Sequence, residues 1–398
     1  MSCVLTGLGV VSAAGPGTAP FLEAIERGGD GGGPLPHLAG PTHQPRIGAA
    51  LSRDLGGGDP GPWDRAFRMS SAAAAEALAG AGLAAGDLPG ACGLVLGTTL
   101  GGAIKAQRWH AGLLAGRRRR RADLLQAPLH AIADHLGRRF GFAGPRTVVS
   151  NACVSGTNAL GLALDLIRGG EAEIVLAGGV DSLHGFNFTG FAALGLLTRD
   201  RCAPFDPRGR KMLLGEAAAF LVVESADSAR RRGARVHAEL AGYGCACDAF
   251  RVTTPSPEGA GAGRAIRMAL ADAGVTLEEV DMISLHGVGT LPLDGMECAA
   301  LRQVFAGRRR PLPATSLRPV TGHTLGGVGA LDTVACVLAV ERGIVPPTGR
   351  PGDRVPDLPP PVHLVRAPLK TPIRVALNTS SGFGGVNAAL VVRRWGGP

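Results

Sequence analysis

Short aliphatic and β-branched runs bounded by glycine or polar turns alternate with longer small-residue segments along the whole chain. The opening run, residues 3–12, reads as an apolar strand ending in a Gly/Ser/Pro turn, and residues 28–62, rich in Gly and Pro without periodicity, read as surface loop. An alanine-rich helix is predicted over 66–82, then a buried strand over 93–97. A helix over 127–140 leads to a strand at 147–149, and a helix-compatible segment follows Cys153 at once. Strands at 173–179 and 221–224 and a helix over 225–232 close the first half. The second half repeats the rhythm: strand 236–243, helix 258–274, strand 282–285, helices from about 293 and over 326–342, and strands at 362–366 and 373–378. Such alternation predicts a layered α/β fold. Residues 150–159 and 379–388 share Gly, Asn and Ala at equal offsets, which reads as two fused copies of one α/β unit, 1–232 and 233–398.

Composition narrows the possibilities. A chain of 398 residues with 45% hydrophobic and 18% charged content buries a large core. Aromatics at 4% are too scarce for a base-stacking surface, so a nucleic-acid partner is not expected. No signal-peptide pattern opens the sequence and no apolar run has the character of a membrane span. The eight cysteines show neither a disulfide framework nor a zinc spacing, and Cys245 and Cys247 read as buried packing. These features fit a reducing cytoplasm. The formal net charge of +9 implies an acidic partner or substrate.

Three residues carry candidate chemistry. Cys153 sits where a strand turns into a helix, where orphan backbone N–H groups and the helix dipole favour a thiolate. His286 and His323 each follow a strand or loop inside a glycine-rich turn. A thiol nucleophile with two imidazoles is equipped for acyl transfer, since imidazole takes a proton when neutral and its N–H stabilises a developing oxyanion or enolate. Gly382-Phe383-Gly384-Gly385 supplies backbone able to aim N–H groups at the same centre. The run Arg117, Arg118, Arg119, Arg120 and Arg121 reads either as a solvated loop or as a landing pad for an acidic protein or phosphate.

The ordered set Asn151-Ala152-Cys153-Val154-Ser155-Gly156, His286-Gly287-Val288-Gly289-Thr290, Thr321-Gly322-His323 with its following glycines, and Gly382-Phe383-Gly384-Gly385-Val386-Asn387 resembles the β-ketoacyl-acyl carrier protein synthases of the thiolase superfamily. Val4–Ser12, Pro204-Phe205-Asp206 and Leu214-Gly215-Glu216 extend the likeness over nearly the whole chain. The resemblance implies a thiolase-like fold of two related α/β halves in an α-β-α-β-α arrangement, the first carrying the cysteine and the second both histidines. It implies that Cys153 takes an acyl group as a thioester, with the N–H groups of Cys153 and Phe383 as oxyanion hole. His286 and His323 would then bind a malonyl thioester and promote its decarboxylation, and Phe383 would gate the acyl pocket.

Supporting roles carried by the resemblance fall on Arg318 and Asp332, and substrate contacts on Leu100, Thr290, Thr321 and Gly384. Carrier-protein docking falls on Arg117 to Arg121, joined by Arg65 and Arg68. No cofactor is implied, because substrates ride on the phosphopantetheine arm of an acyl carrier protein. The expected assembly is a homodimer or a ketosynthase/chain-length-factor heterodimer. Three positions and one segment depart from the family pattern: Arg318 replaces a lysine, Val288 a threonine, Ser381 a phenylalanine, and residues 207–212 rewrite an entrance loop. Two other readings stay open, an acyltransferase that loads Cys153 without condensation, and a non-catalytic chain-length-factor-like partner.

Overall fold

The computed structural model describes residues 1–35, 47–51, 63–84, 86, 88, 90–209, 211–350 and 357–397. Much of the stretch read as surface loop, 36–46 and 52–62, lies outside the described residues, as does Arg210 of the entrance loop. The described part of that stretch holds two short paired strands, Gly33–Pro34 and Ile47–Gly48.

Two strands, Cys3–Ser12 and Ala238–Cys247, form the seam of a 12-stranded sheet, pairing antiparallel at Val4 with Glu239 and Leu5 with Ala238. Outward from the first come Ala217–Ser225 and Ile174–Asp181, both antiparallel to their inner neighbours, then Gly93–Gly97 and Arg146–Val149, both parallel. Outward from the second come Val386–Arg393 and Val375–Gly382, again antiparallel, then Met282–Ser284 and Leu312–Thr315, again parallel, with Val362–Leu364 added at the edge. Order and direction therefore repeat on the two sides of the seam.

Helices Ser155–Arg168 and Val328–Arg342 pack against strands of both groups and against each other. Helix Arg65–Gly80 covers the outer face of the first group, and helix Ala260–Asp272, with Leu291–Phe305 beside it, covers the second. The result is an α-β-α-β-α layering with a separate apolar core on each face. Val328–Arg342 is buried from Val328 to Val340, as its largely apolar sequence requires, with Asp332 the one charged side chain inside. Each fully buried Val or Leu in it contributes about 1.5–3 kcal/mol relative to exposure.

The Gly/Asn/Ala echo is not a structural equivalence. Residues 155–159 are helical, whereas 379–388 cross a hairpin from one strand to the next. By strand order, the segment matching strand Arg146–Val149 and helix Ser155–Arg168 is strand Leu312–Thr315 with helix Val328–Arg342. Cys245 and Cys247 also depart from expectation: the first is half-buried and the second exposed, since the strand leaves its neighbours' cover as it reaches the hairpin turn. Sequence periodicity missed helices Thr18–Arg27, Ala103–Leu114 and Gly185–Ala193 and strands Leu312–Thr315 and Val386–Arg393. The third helix is rich in Gly and Phe, weak helix formers, and its start is held by Asn187, whose side chain accepts from the His184 N–H at 3.1 Å.

Candidate active site

From strand Arg146–Val149 the chain turns through residues 150–154 into helix Ser155–Arg168. Ala152 takes a φ of 51°, a left-handed conformation rare outside glycine. Ser155 fixes that turn, its Oγ donating to the Ala152 carbonyl at 2.6 Å and accepting from the Asn151 N–H at 2.9 Å. The elbow presents Cys153, 8% exposed, inward.

The opposing wall comes from the last hairpin. Gly382 ends strand Val375–Gly382, and a Cβ there would lie 3.0 Å from the Cys153 nitrogen and 3.5 Å from its Cβ, so a side chain here would press the hairpin away from the elbow by a few tenths of an ångström. The backbone N–H groups of Phe383 and of Cys153 itself face the sulfur and favour its thiolate. The Phe383 ring stacks on Phe191 of helix Gly185–Ala193, centroids 5.7 Å apart. Gly384, with φ of 84°, turns the hairpin back, donates to the Val252 carbonyl at 2.6 Å, and accepts from the Cys247 thiol at 3.5 Å.

The third wall carries the imidazoles. His323 Nε2 lies 3.0 Å from Cys153 Sγ, and the His286 ring meets His323 edge to face with centroids 5.1 Å apart. Both rings are buried, and both nitrogens of His286 and Nδ1 of His323 have no partner among the described residues. Burial pushes the Cys153 thiol up to about 12, against the opposing influence of the two N–H groups, and holds His323 down at about 3. His286 is held well below its ordinary range by burial, with His323 and Arg318 adding to the effect. The expected resting thiolate is thus corrected: desolvation outweighs the helix terminus, and the pair rests as neutral thiol and neutral imidazole. The thiol then donates to Nε2, which puts the imidazole's own proton on Nδ1.

Buried charge holds the histidine loops. Arg318 donates from Nε to the His286 carbonyl at 3.1 Å and from one terminal nitrogen to the Gly322 carbonyl at 3.4 Å, while the other pairs with Asp332. Both charged groups are fully buried. The three-way grip uses the guanidinium fork, which a lysine in this place would lack. Two carboxylates that sequence reasoning missed cradle the His286 turn. Glu297 accepts from the N–H groups of His286 at 2.8 Å and Gly287 at 2.9 Å, and Asp294 from Val288 and Gly289, both at 3.1 Å. Their signal was legible: two acids three residues apart at the start of the helix that follows the His286 turn.

The remaining expected residues divide. Thr290 is buried as the N-cap residue of helix Leu291–Phe305, and the Thr321 hydroxyl donates to the Leu317 carbonyl at 3.0 Å. Leu100 packs against a cluster of Leu35, Leu183, Phe188 and Leu325 that also contains Val288. Ser381 is buried and bonded to Asn387 at 2.7 Å. Arg117 to Arg121 are all exposed, with Arg119 lying over the Trp109 ring at 5.1 Å and Arg121 opening the short helix Arg121–Leu124. Arg65 is corrected: its guanidinium grips Glu216 at 2.6 and 2.8 Å and the Leu51 carbonyl at 3.1 Å, so it holds the interior together. Arg68 is half-buried on the same helix. Among the described residues no His/Cys/Asp/Glu cluster suits a metal ion, and no helix is long and apolar enough to cross a membrane.

Comparison with known proteins accounts for this constellation. Residues 2–229 match the family model described as the beta-ketoacyl synthase N-terminal domain, and residues 237–350 match its C-terminal domain. Nodulation protein E of Rhizobium sp. (strain N33) is 34% identical over 98% of both chains. The actinorhodin polyketide putative beta-ketoacyl synthase 1 of Streptomyces coelicolor is 32% identical over 98% of this chain and 88% of its own. The solved structure of the ishigamide ketosynthase/chain length factor superposes with a TM-score of 0.90 at 33% identity, covering 99% of each chain. With the cysteine elbow and the paired histidines falling inside the matched regions, the chain belongs to the β-ketoacyl synthase family.

Proposed function

We propose that the protein is a β-ketoacyl-acyl carrier protein synthase in which Cys153, His286, His323 and the Phe383 N–H perform decarboxylative condensation. The observation that carries the reading is the 3.0 Å contact between Cys153 Sγ and His323 Nε2 beside the unpartnered nitrogens of His286. As sulfur attacks a carrier-bound acyl thioester, its proton passes to Nε2, and the N–H groups of Cys153 and Phe383 receive the developing oxyanion. The carrier thiolate leaves and takes a proton from solvent.

A malonyl thioester then places its carbonyl oxygen against His286 and the protonated His323. Loss of carbon dioxide leaves an enolate on that oxygen, stabilised by both rings. Its carbon attacks the Cys153 acyl group, the carbon–sulfur bond breaks, and the Cys153 thiolate recovers the proton from His323. One solvent proton is consumed overall. The substrates arrive on a phosphopantetheine arm, so the residues named need no bound cofactor.

An acidic acyl carrier protein fits the +9 charge and the exposed run 117–121. The assembly is a dimer, with itself or with a chain-length-factor subunit, a reading supported by the heteromeric ishigamide relative. The division into halves 1–232 and 233–398 follows the repeated strand order about the seam. All eight cysteines are free thiols, in keeping with a cytoplasmic setting.

The test is intact-mass analysis of the protein with acyl- and malonyl-carrier protein. A Cys153 thioester followed by a carrier-bound product longer by two carbons, with carbon dioxide released, is expected. Loading without extension would replace condensation by simple acyl transfer, and loading that persists in Cys153→Ala would remove the nucleophile assignment.

A further inference from the structure

Asp181 ends strand Ile174–Asp181 with its carboxylate fully buried. Every group around it donates. Oδ1 accepts from Thr98 Oγ1 at 2.9 Å and the Leu100 N–H at 3.0 Å, and Oδ2 accepts from Thr99 Oγ1 at 2.5 Å and the Gly326 N–H at 2.7 Å. The Thr99 N–H is shared between the two oxygens at 3.2 and 3.0 Å. Thr98 Oγ1 also accepts from the Gly101 N–H at 3.1 Å, which closes the turn carrying Leu100. Gly326 lies three residues past His323, and a Cβ there would stand 2.7 Å from Oδ2, so the turn after His323 is shaped to touch this acid. Leu325, next to it, is held at a φ of 52°.

We propose that Asp181 is a positioning residue that ties the turn presenting Leu100 to the turn following His323, and through that tie sets acyl-chain selectivity at Cys153. Leu100 and Leu325, one from each turn, lie in the same apolar cluster, so the carboxylate fixes two sides of one wall. A neutral amide in its place keeps the size but turns N–H groups toward N–H donors, and the clamp opens. The carboxylate also adds charge. After burial, the charge of Asp181 is the largest influence disfavouring the Cys153 thiolate. The inference rests on Cys153 being the nucleophile, and the test separates the two.

The experiment measures iodoacetamide labelling of Cys153 against pH, located by peptide mass mapping, together with kcat/KM across saturated acyl-carrier substrates of increasing length. For Asp181→Asn the labelling midpoint moves down by about one pH unit, and the spread of kcat/KM over chain length narrows several-fold. Thr99→Val keeps the charge but removes one anchor, so the midpoint stays and the length preference alone loosens. Wild-type midpoint and selectivity in Asp181→Asn overturn the inference. If Asp181→Asn does not fold, wild-type selectivity in Thr99→Val overturns it instead. Label absent from Cys153 in the wild-type protein would sink the nucleophile assignment itself, a different result from an unshifted midpoint.

Discussion

Nε2 of His323 stands 3.0 Å from Sγ of Cys153, with both groups held in their uncharged forms by burial. In the proposed reaction, nucleophile activation is therefore a proton transfer made at the moment of attack. His323→Ala removes the acceptor and one of the two enolate donors. Acyl loading and malonyl decarboxylation are expected to fall about 10²–10⁴-fold, read as thioester mass and carbon dioxide release, with the unfolding midpoint in urea little changed.

The same burial predicts an acid limb of stability. His323 binds its proton far less readily folded, at about 3, than at its ordinary 6.5, so the unfolded state holds more protons in that window. Stability is fully present above pH 6.5 and is lost as pH falls toward 3. His286 acts in the same direction. Urea unfolding of His323→Asn across this range should show a shallower slope with pH than the wild type, and an identical slope would contradict the burial argument.

Ser155→Ala tests the elbow. Losing two buried hydrogen bonds around Ala152 costs about 1–3 kcal/mol and lets Cys153 drift from the Phe383 N–H. Lower stability in denaturant melts should accompany a fall in loading rate, while KM for the acyl carrier stays near its original value.

Arg318→Met leaves Asp332 charged, buried and unpaired, a loss of about 3–5 kcal/mol. Arg318→Lys keeps the charge but surrenders the hold on the His286 and Gly322 carbonyls. The lysine variant should retain most of the thermal stability and lose kcat, whereas the methionine variant loses both, and a calorimetric scan paired with turnover separates them.

Replacing Arg117 to Arg121 by Ser should weaken carrier-protein association and flatten its dependence on salt, with labelling of Cys153 by iodoacetamide untouched. Association rates measured from low to physiological ionic strength provide the check. Equal affinity at every salt concentration would assign the run to solvent.

The layered fold, most of its strands, and the cysteine and histidine turns were legible in the chain because each rests on local pattern: aliphatic runs, glycine turns and one cysteine at a strand-to-helix junction. What stayed hidden depends on distant partners. Arg65 looks like a surface cation until Glu216, 151 residues away, is folded against it. The charge state of Cys153 was misread because the helix terminus is visible in sequence while the desolvating walls are not. Only the fold shows that Phe191 of helix Gly185–Ala193 meets Phe383. The repeat was aligned on the wrong segment, since a shared Gly-x-Asn-Ala spacing suits a helix start and a hairpin equally well.

Gly382 and Phe383 sit on the hairpin of strands Val375–Gly382 and Val386–Arg393, which joins the sheet beside Ala238–Cys247. The N–H that faces the Cys153 sulfur thus comes from the opposite side of the seam. Loosening the pairing of Val386–Arg393 with Ala238–Cys247 would withdraw that donor while leaving the thiol and both imidazoles where they stand.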